Sequence, residues 1–448
     1  MAEWTLLLTT IFALYLLLQV SYICVSILLK KNPNVSAVEQ KITVLIPSFN
    51  EELVLLQCLE GWNRVRYTHK EAIFINDGST DQTMELLHDL LELAEFKQQL
   101  NSVPHKNSIN IFQSKKFPEI YVVDQLNGGK SDALNTGISL ATGDIVITLD
   151  ADSILESDSL SKINQAFADP LVVAAGGMVH VGQLINRRGS TVYGQNMLIR
   201  YQLSGYLSSF YVRKATQSKL NVLGVVSGAF GAFRRDVLVK IGGYKQTLGE
   251  DMEITFRLQK YIKERKLGEK LIFVPEAVCY TEVPETFKAL LHQRIRWQKG
   301  FLDCINLYKK DFFMRLSKRF SIFLLFESLM LGTLGTLALI VLPVTLLLGN
   351  VSNFTFLLIA TAWSSEFILR LIAVQRAGHF GYVFSLKCWF KIVIFTIWES
   401  FTFRLLDTFF FLYGTILYVV GSRSNWNKLQ RSGSVIYTEL QPLEKIPV

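Results

Sequence analysis

Residues 144–153 read DIVITLDADS. Ile145 to Leu149 is a short β-branched run without polar alternation, the pattern of a strand buried on both faces of a parallel sheet. It ends in Asp150-Ala151-Asp152. A strand ending this way presents both acids at the carboxyl edge of the sheet, where open α/β folds bind ligands. Two hard oxygen ligands there suit Mg2+ or Mn2+, and such an ion suits a diphosphate. A lone D-x-D is more often a solvated turn; the ordered set of segments around this one reverses that reading.

ITVLIP, AIFIN and EIYVVD are strand-like runs upstream, and EELVLLQCLEGW, TMELLHDLLELAEF and SDALNTGISLA read as helices. The alternation predicts βαβ units with a mainly parallel sheet, in one large α/β domain over residues 41–311. Asn101 to Pro118, polar and aperiodic, reads as a surface loop, and Met178 to Ser218 as loops without an assignable place. The first strand runs into PSFNEE (residues 47–52) and not into Gly-x-Gly-x-x-Gly, which disfavours a dinucleotide-binding oxidoreductase. The second ends in NDGSTDQT (residues 76–83). There Asp77 stands at the sheet edge, suited to accept a hydrogen bond from a base or ribose. Ser79, Thr80 or Asp81 can cap a helix beginning near Gln82, whose first N–H groups attract negative charge.

Further along lie LNGGKSDALNTG (residues 126–137), GVVSGAFGAFRR (224–235), LGEDMEITFRL (248–258) and HQRIRWQKG (292–300). Glu250 and Asp251 serve equally as favourable first-turn charges of a helix through Leu258. On a helix Gln293, Arg296 and Trp297 fall at i, i+3 and i+4 and share a face. An Arg donates a fork to phosphate oxygens and an indole offers a flat apolar surface to a sugar ring, although Trp on an interfacial helix is an alternative.

Taken together, from about Lys41 to Phe301, these segments resemble the family 2 glycosyltransferases of the GT-A fold. The likeness is to the membrane-embedded processive type related to cellulose, chitin, hyaluronan and poly-N-acetylglucosamine synthases. The resemblance implies a nucleotide-sugar donor, with a UDP-sugar expected, held by Pro47, Asn50, Glu51, Asp77, Lys130 and Asp150. It implies Mg2+ or Mn2+ at Asp150 and Asp152, and Asp251 as general base with Glu250 beside it. It places Gly228, Gln293, Arg296 and Trp297 at the acceptor and diphosphate. Many relatives carry Thr before the acid pair; this chain has Gly249. WNKLQR, with Trp426, Lys428 and Arg431, resembles a gating-like tail segment, with a surface anchor as the plain alternative.

The flanks are membrane-like. Half of the 448 residues are hydrophobic and the net charge is +8. Trp4 to Leu29 has no charged residue and is followed by Lys30 and Lys31, a retained anchor (residues 1–31) with its carboxyl end in the cytoplasm. Residues 320–421 read as three or four spans. Ser321 to Leu348 is one and Phe354 to Ile372 another, with Glu366 and Arg370 four apart and able to pair away from lipid. Cys388 to Gly421 reads either as an interfacial helix plus one span or as two short spans. A basic tail over residues 422–448 favours four. The basic excess fits positive-inside flanks and lipid contact; no nucleic-acid-binding pattern accompanies it. Five scattered cysteines without C-x-x-C fit a reduced cytoplasmic domain, with no disulfide framework or zinc site.

The sequence therefore predicts a multi-pass plasma-membrane enzyme with a cytoplasmic catalytic domain, inverting at the sugar as it extends a β-linked polysaccharide. A single transfer to a lipid acceptor is the first rival, favoured by the small number of spans available to line a tunnel, which a homo-oligomer would supplement. A non-catalytic nucleotide-sugar-binding scaffold is the second, disfavoured by the intact acids.

Overall fold

The computed structural model describes residues 2–28, 37–97, 103, 109–184, 196–328, 353–380 and 386–421. A long helix, α1 (Ala2–Leu28), precedes the domain. Then follow β1 (Ile42–Ser48), α2 (Leu55–Arg64), β2 (Lys70–Asp77), α3 (Thr83–Leu91), β3 (Leu93–Glu95), β4 (Ile109–Ser114), β5 (Ile120–Gln125), α4 (Lys130–Leu140), β6 (Ile145–Leu149) and β7 (Ile154–Leu155). The second half holds α5 (Ser159–Phe167), β8 (Val172–Val181), α6 (Met197–Ser208), a π-helical turn (Ser209–Lys214), α7 (Ala215–Lys219), β9 (Phe230–Arg234), α8 (Arg235–Lys240), α9 (Glu250–Arg265), β10 (Lys270–Thr281), α10 (Phe287–Tyr308) and α11 (Lys318–Glu327). Two more helices, Asn353–His379 and Leu386–Val419, close the described chain.

The strands form one sheet in the order β3-β4-β5-β2-β1-β6-β9-β8-β10-β7. Its heart, β5-β2-β1-β6, is parallel, but β3-β4, β4-β5, β6-β9, β8-β9 and β10-β7 are antiparallel. The sheet is thus mixed, where the sequence suggested mainly parallel. The second half joins through the antiparallel β9, beyond which β8 and β10 pair in parallel.

Alternate residues of β1 enter two different cores. Ile42, Val44 and Ile46 face α2, α3 and α5, whereas Leu45 faces α4, α8 and α9. Both faces being covered, each central strand is apolar throughout, which is why no polar alternation marks it.

Three local readings change. The segment read as one helix through Phe96 stops at Leu91, because Glu92 turns left-handed (φ 50°) and Leu93–Glu95 joins the sheet. Within the supposed loop Asn101–Pro118, Ile109–Ser114 is a strand against β5; its short apolar content is too brief to register as periodicity. Met178–Ser218 contains the end of β8, α6 and the π-helical turn.

Two helices are long and apolar enough to cross a membrane, Thr9–Leu28 within α1 and Asn353–His379; Leu405–Val419 is a shorter apolar stretch. The region Cys388–Gly421, with two readings in the sequence, is one continuous helix from Leu386 to Val419. Much of the expected span Ser321–Leu348 and the WNKLQR segment lie outside the described residues. Glu366 lies 3.5 Å from Arg370 as their spacing suggested, and also accepts from Tyr15 (2.7 Å) and Gln19 (2.8 Å) of α1. Arg370 in turn pairs with Glu399 and donates to Ser204 of α6 at 3.1 Å. These three charged side chains on apolar helices are thus paired with one another.

Candidate active site

Parallel register brings the first-half segments together. Ser48 of β1 lies beside Asn76 of β2, Asp77 beside Gln125 of β5, and β6 beside β1, so four strand ends meet at one edge. PSFNEE and NDGST are tied to each other there. Asn50, in a left-handed conformation (φ 56°), accepts the Thr80 N–H on Oδ1 (2.6 Å) while its own N–H donates to Ser79 Oγ (2.9 Å). The Glu51 N–H donates to Thr83 Oγ1 (2.8 Å). Pro47 sits within β1 opposite Ile75. Asp81 meets α3, its Oδ1 accepting from the Thr83 N–H at 3.0 Å.

Asp77 is buried and anchors the glycine loop. Its Oδ1 accepts from the Gly128 N–H and from Gln125 Nε2, and its Oδ2 from the Gly129 N–H, each at 2.9 Å. Gly129 is left-handed (φ 85°), a conformation that favours glycine, and it starts α4 without a side-chain cap. The first turn of α4 consequently presents open N–H groups at the strand ends, a ready anion site. Gln246 holds the loop from outside by donating to the Gly128 carbonyl at 2.7 Å.

Lys130, the first residue of α4, links the halves of the site. Its ammonium lies 2.6 Å from Asp150 Oδ1 and 3.3 Å from Glu250 Oε1. Burial works against its charge, but Asp150 and Glu250 outweigh that and raise its pKa well above the usual lysine range. Asp152 is buried, its Oδ1 accepting from Thr281 Oγ1 (3.2 Å) and Ser153 Oγ (3.3 Å). Asp150 remains partly open. Among the described residues no cluster of three or more His, Cys, Asp or Glu side chains is arranged to hold a metal. Two carboxylates at an open strand end nevertheless fit Mg2+ or Mn2+, which take one or two protein carboxylates and fill the other positions with phosphate oxygens and water.

Glu250 and Asp251 open α9. Asp251 accepts the Gly228 N–H on Oδ2 (3.3 Å) and the Met252 N–H on Oδ1 (2.9 Å). Burial first, and Glu250 second, raise its pKa, with Lys130 opposing. The direction is that of a carboxylate tuned towards a base. A Cβ at Gly228 would lie 3.3 Å from Lys130 Nζ and 3.4 Å from Asp251 Cβ, so this residue packs against both.

Gln293, Arg296 and Trp297 all lie on α10, although their surroundings differ. Gln293 is buried and its Oε1 accepts no hydrogen bond among the described residues. Arg296 is half-buried, and Trp297 is 42% exposed with the Arg294 guanidinium 4.4 Å from its ring centroid. Sequence reasoning passed over Arg294. It also passed over Tyr206, whose hydroxyl is pushed above the usual tyrosine range by burial first, with Arg294 opposing. Nothing in the local pattern marks either, since one is masked by the neighbouring Q-x-x-R-W spacing and the other lies in a segment read as loop.

Helix α10 meets Gly249, the residue before the acid pair, backbone to backbone, and its Cys304 Sγ donates to the Gly249 carbonyl at 3.8 Å. A Cβ on Gly300 would meet Gly249 Cα and N at 2.9 Å and the Leu248 carbonyl carbon at 3.0 Å. A Cβ on Gly249 would meet Gly300 Cα at 3.2 Å. The glycine at 249 permits this close approach. Gly300→Ala is expected to destabilise the fold by about 1–3 kcal/mol, since the obstacles are backbone atoms that cannot rotate away. It should also lower the turnover rate by displacing Glu250 and Asp251. Thermal unfolding and initial rates on one detergent preparation check both; wild-type values in each would show that the seam does not position the acids.

The profile of the family described as "Glycosyltransferase like family 2" matches residues 39–300. The poly-beta-1,6-N-acetyl-D-glucosamine synthase of Staphylococcus aureus (strain COL) is 30% identical over 302 residues, 66% of this chain and 63% of that protein. The Staphylococcus epidermidis synthase of the same name is 27% identical over 320 residues, 70% of this chain and 68% of its own. The alignment thus spans somewhat less than two thirds of the S. aureus relative. Among solved structures, the mannosyltransferase PcManGT from Pyrobaculum calidifontis, in complex with GDP-Man and Mn2+, superposes with TM-score 0.54 at 16% identity. It covers 92% of this chain and 100% of that one. The match over more than half of its length, on a mixed sheet of GT-A form, places this chain in glycosyltransferase-like family 2.

Proposed function

We propose that this protein is a membrane-embedded inverting glycosyltransferase that moves a sugar from a nucleotide-diphosphate donor, a UDP-sugar, onto a growing β-linked polysaccharide. The observation that carries this is the meeting of Asp77, Lys130, Asp150, Glu250 and Asp251 at one sheet edge, held by hydrogen bonds and ion pairs of 2.6–3.3 Å. Likeness to the staphylococcal synthases supports a polymer product.

In this reading Pro47, Asn50, Glu51 and Asp77 shape the nucleotide end of the site. Lys130, the open first turn of α4 and Arg296 receive the diphosphate. Asp150 and Asp152 would hold Mg2+ or Mn2+, whose contribution when bound is neutralisation of diphosphate charge. Asp251 takes the proton from the acceptor hydroxyl as that oxygen bonds to the sugar C1. The C1–oxygen bond to the diphosphate breaks on the opposite face, and the electron pair leaves with the nucleotide. An α-linked donor then gives a β-linkage. Lys130 acts on both partners, bridging the leaving-group side at Asp150 and the base side at Glu250.

The chain divides in this reading into an anchor (residues 1–31), a cytoplasmic transferase domain (41–311), membrane helices (320–421) and a tail (422–448). The two helices long enough to span, and the buried Glu366–Arg370–Glu399 set that ties Asn353–His379 to Leu386–Val419, support a multi-pass arrangement in a plasma membrane. Incubating the purified protein with radiolabelled UDP-N-acetylglucosamine, UDP-glucose, UDP-glucuronate or GDP-mannose and membrane lipid tests the reading. Labelled polymer supports it, a single-sugar lipid would replace it with lipid glycosylation, and no transfer from any donor would overturn it.

Trp297→Ala is expected to cut chain elongation at least tenfold with UDP affinity within twofold of wild type, because one indole face is already covered by Arg294 and the exposed remainder is free for a sugar ring. Elongation assays and calorimetric UDP titration on the same sample check this. Normal elongation would remove Trp297 from the acceptor site.

A further inference from the structure

Residues 222–227, which lead into Gly228, form neither helix nor strand, so their backbone groups have no regular ladder to join. Val222, Leu223 and Val226 are buried nonetheless. Helix α9 supplies partners. Asp251, Thr255 and Gln259 stand four residues apart on it, one per turn along one face. Gln259 Nε2 donates to the Leu223 carbonyl (3.1 Å), Thr255 Oγ1 accepts the Val226 N–H (2.9 Å) and Asp251 Oδ2 accepts the Gly228 N–H (3.3 Å). The segment therefore runs antiparallel to the helix, bonded to it at three successive turns. Gln217 of α7 holds its start, the main-chain carbonyl accepting the Val222 N–H (2.8 Å) and Oε1 the Gly224 N–H (3.4 Å).

Thr255 is 0% exposed and Gln259 3%. A threonine inside a helix commonly returns its hydroxyl proton to the carbonyl four residues back, and Thr255 does so to Asp251 at 2.6 Å. That bond alone is local. The same oxygen also accepts the Val226 N–H, so one hydroxyl joins the backbone of the acid to the backbone of the segment facing it. Of the three side-chain bonds, the one at Asp251 is the longest and lies beyond the usual N–H···O range, so a small displacement of the segment breaks it. An N–H donated to a carboxylate favours its ionised form, and the Gly228 N–H opposes the burial that raises the Asp251 pKa.

We propose that Thr255 is a positioning residue for the base, fixing the 222–228 segment so that the Gly228 N–H reaches the Asp251 carboxylate, with Gln259 steadying the far end. The proposal rests on the transferase reading, in which Asp251 takes the acceptor proton, and adds what sets the strength of that base. Being fully buried, Thr255 acts through Asp251.

The test is the pH dependence of kcat in the full-length protein in detergent, with whichever labelled donor supports transfer. Thr255→Val keeps the shape of the side chain and removes the acceptor. Without the Gly228 N–H the carboxylate holds its proton to higher pH, so the acid limb is expected to rise by about 0.5 to 1 in pH. Thr255→Ser keeps the hydroxyl and should return the limb to its wild-type position. A role confined to stability would lower the unfolding temperature, or the rate at every pH, and leave the limb in place. A limb in Thr255→Val at or below the wild-type position, or a Ser variant shifted as far as the Val variant, would overturn the proposal. Should Thr255→Val not fold, Gln259→Met, which frees the Leu223 carbonyl, must raise the limb, and an unmoved limb there has the same force. Asp251→Asn in the same series separates the two readings. If no donor supports transfer, or if Asp251→Asn keeps the limb, the transferase reading fails and takes this proposal with it. If Asp251→Asn loses the limb while Thr255→Val leaves it unmoved, only the role of Thr255 fails.

Discussion

Asp251→Asn is expected to lower the rate of glycosyl transfer by about two to four orders of magnitude, the usual worth of a positioned general base. UDP affinity should stay within a fewfold of wild type. The separation follows from the site. Asp251 is held by the Gly228 and Met252 N–H groups, whereas the proposed diphosphate position lies at Lys130, which contacts Asp150 and Glu250 and makes no ion pair with Asp251. The amide keeps the size of the carboxyl and one acceptor oxygen, so the fold is little disturbed. The pH profile is the more specific readout. Burial and Glu250 raise the Asp251 pKa, and the base works only when ionised, so the wild-type rate should fall as pH drops through a value above the ordinary aspartate range. That acid limb should be missing from the residual activity of the variant. A loss of UDP affinity as large as the loss of rate, or an unchanged acid limb, would show that Asp251 is not the base.

Asp150→Ala should remove most of the Mn2+-dependent part of nucleotide binding, a loss of about tenfold to a hundredfold when the metal is present. The result without metal distinguishes a metal ligand from a simple salt-bridge partner. In the apoprotein Asp150 occupies the Lys130 ammonium at 2.6 Å and competes with an incoming phosphate. Its removal leaves Lys130 with Glu250 at 3.3 Å and freer to turn to the ligand, so metal-free UDP affinity should be unchanged or slightly improved. Asp152→Ala should share the loss with metal but gain nothing without it, because Asp152 is bound to Thr281 and Ser153 and not to Lys130. Calorimetric titration of UDP with and without Mn2+ on the three proteins checks the pattern. Equal UDP affinity with and without Mn2+ in the wild type would end the metal-site reading.

The central strands were legible because both of their faces are covered, and an apolar run such as Ile145–Leu149 follows from that burial whatever lies next to it. The acids that end β2 and β6, the glycine loop after β5 and the acid pair opening α9 were also legible, since each belongs to a junction whose chemistry is local. Sequence therefore determined the fold class, the family and the set of candidate site residues. It could not give strand direction in the second half, where antiparallel and parallel neighbours are written in the same apolar residues. Nor could it give β3 and β4, too short to carry a period. Contacts between residues distant in the chain were decided by tertiary structure alone. Lys130 reaches Glu250 across 120 positions, Gly249 meets Gly300 through backbone, and Asp77 is saturated by the N–H groups of a loop fifty residues on. Local patterns report what a residue's own element buries, whereas charge pairing and close backbone approach depend on which elements the fold brings together.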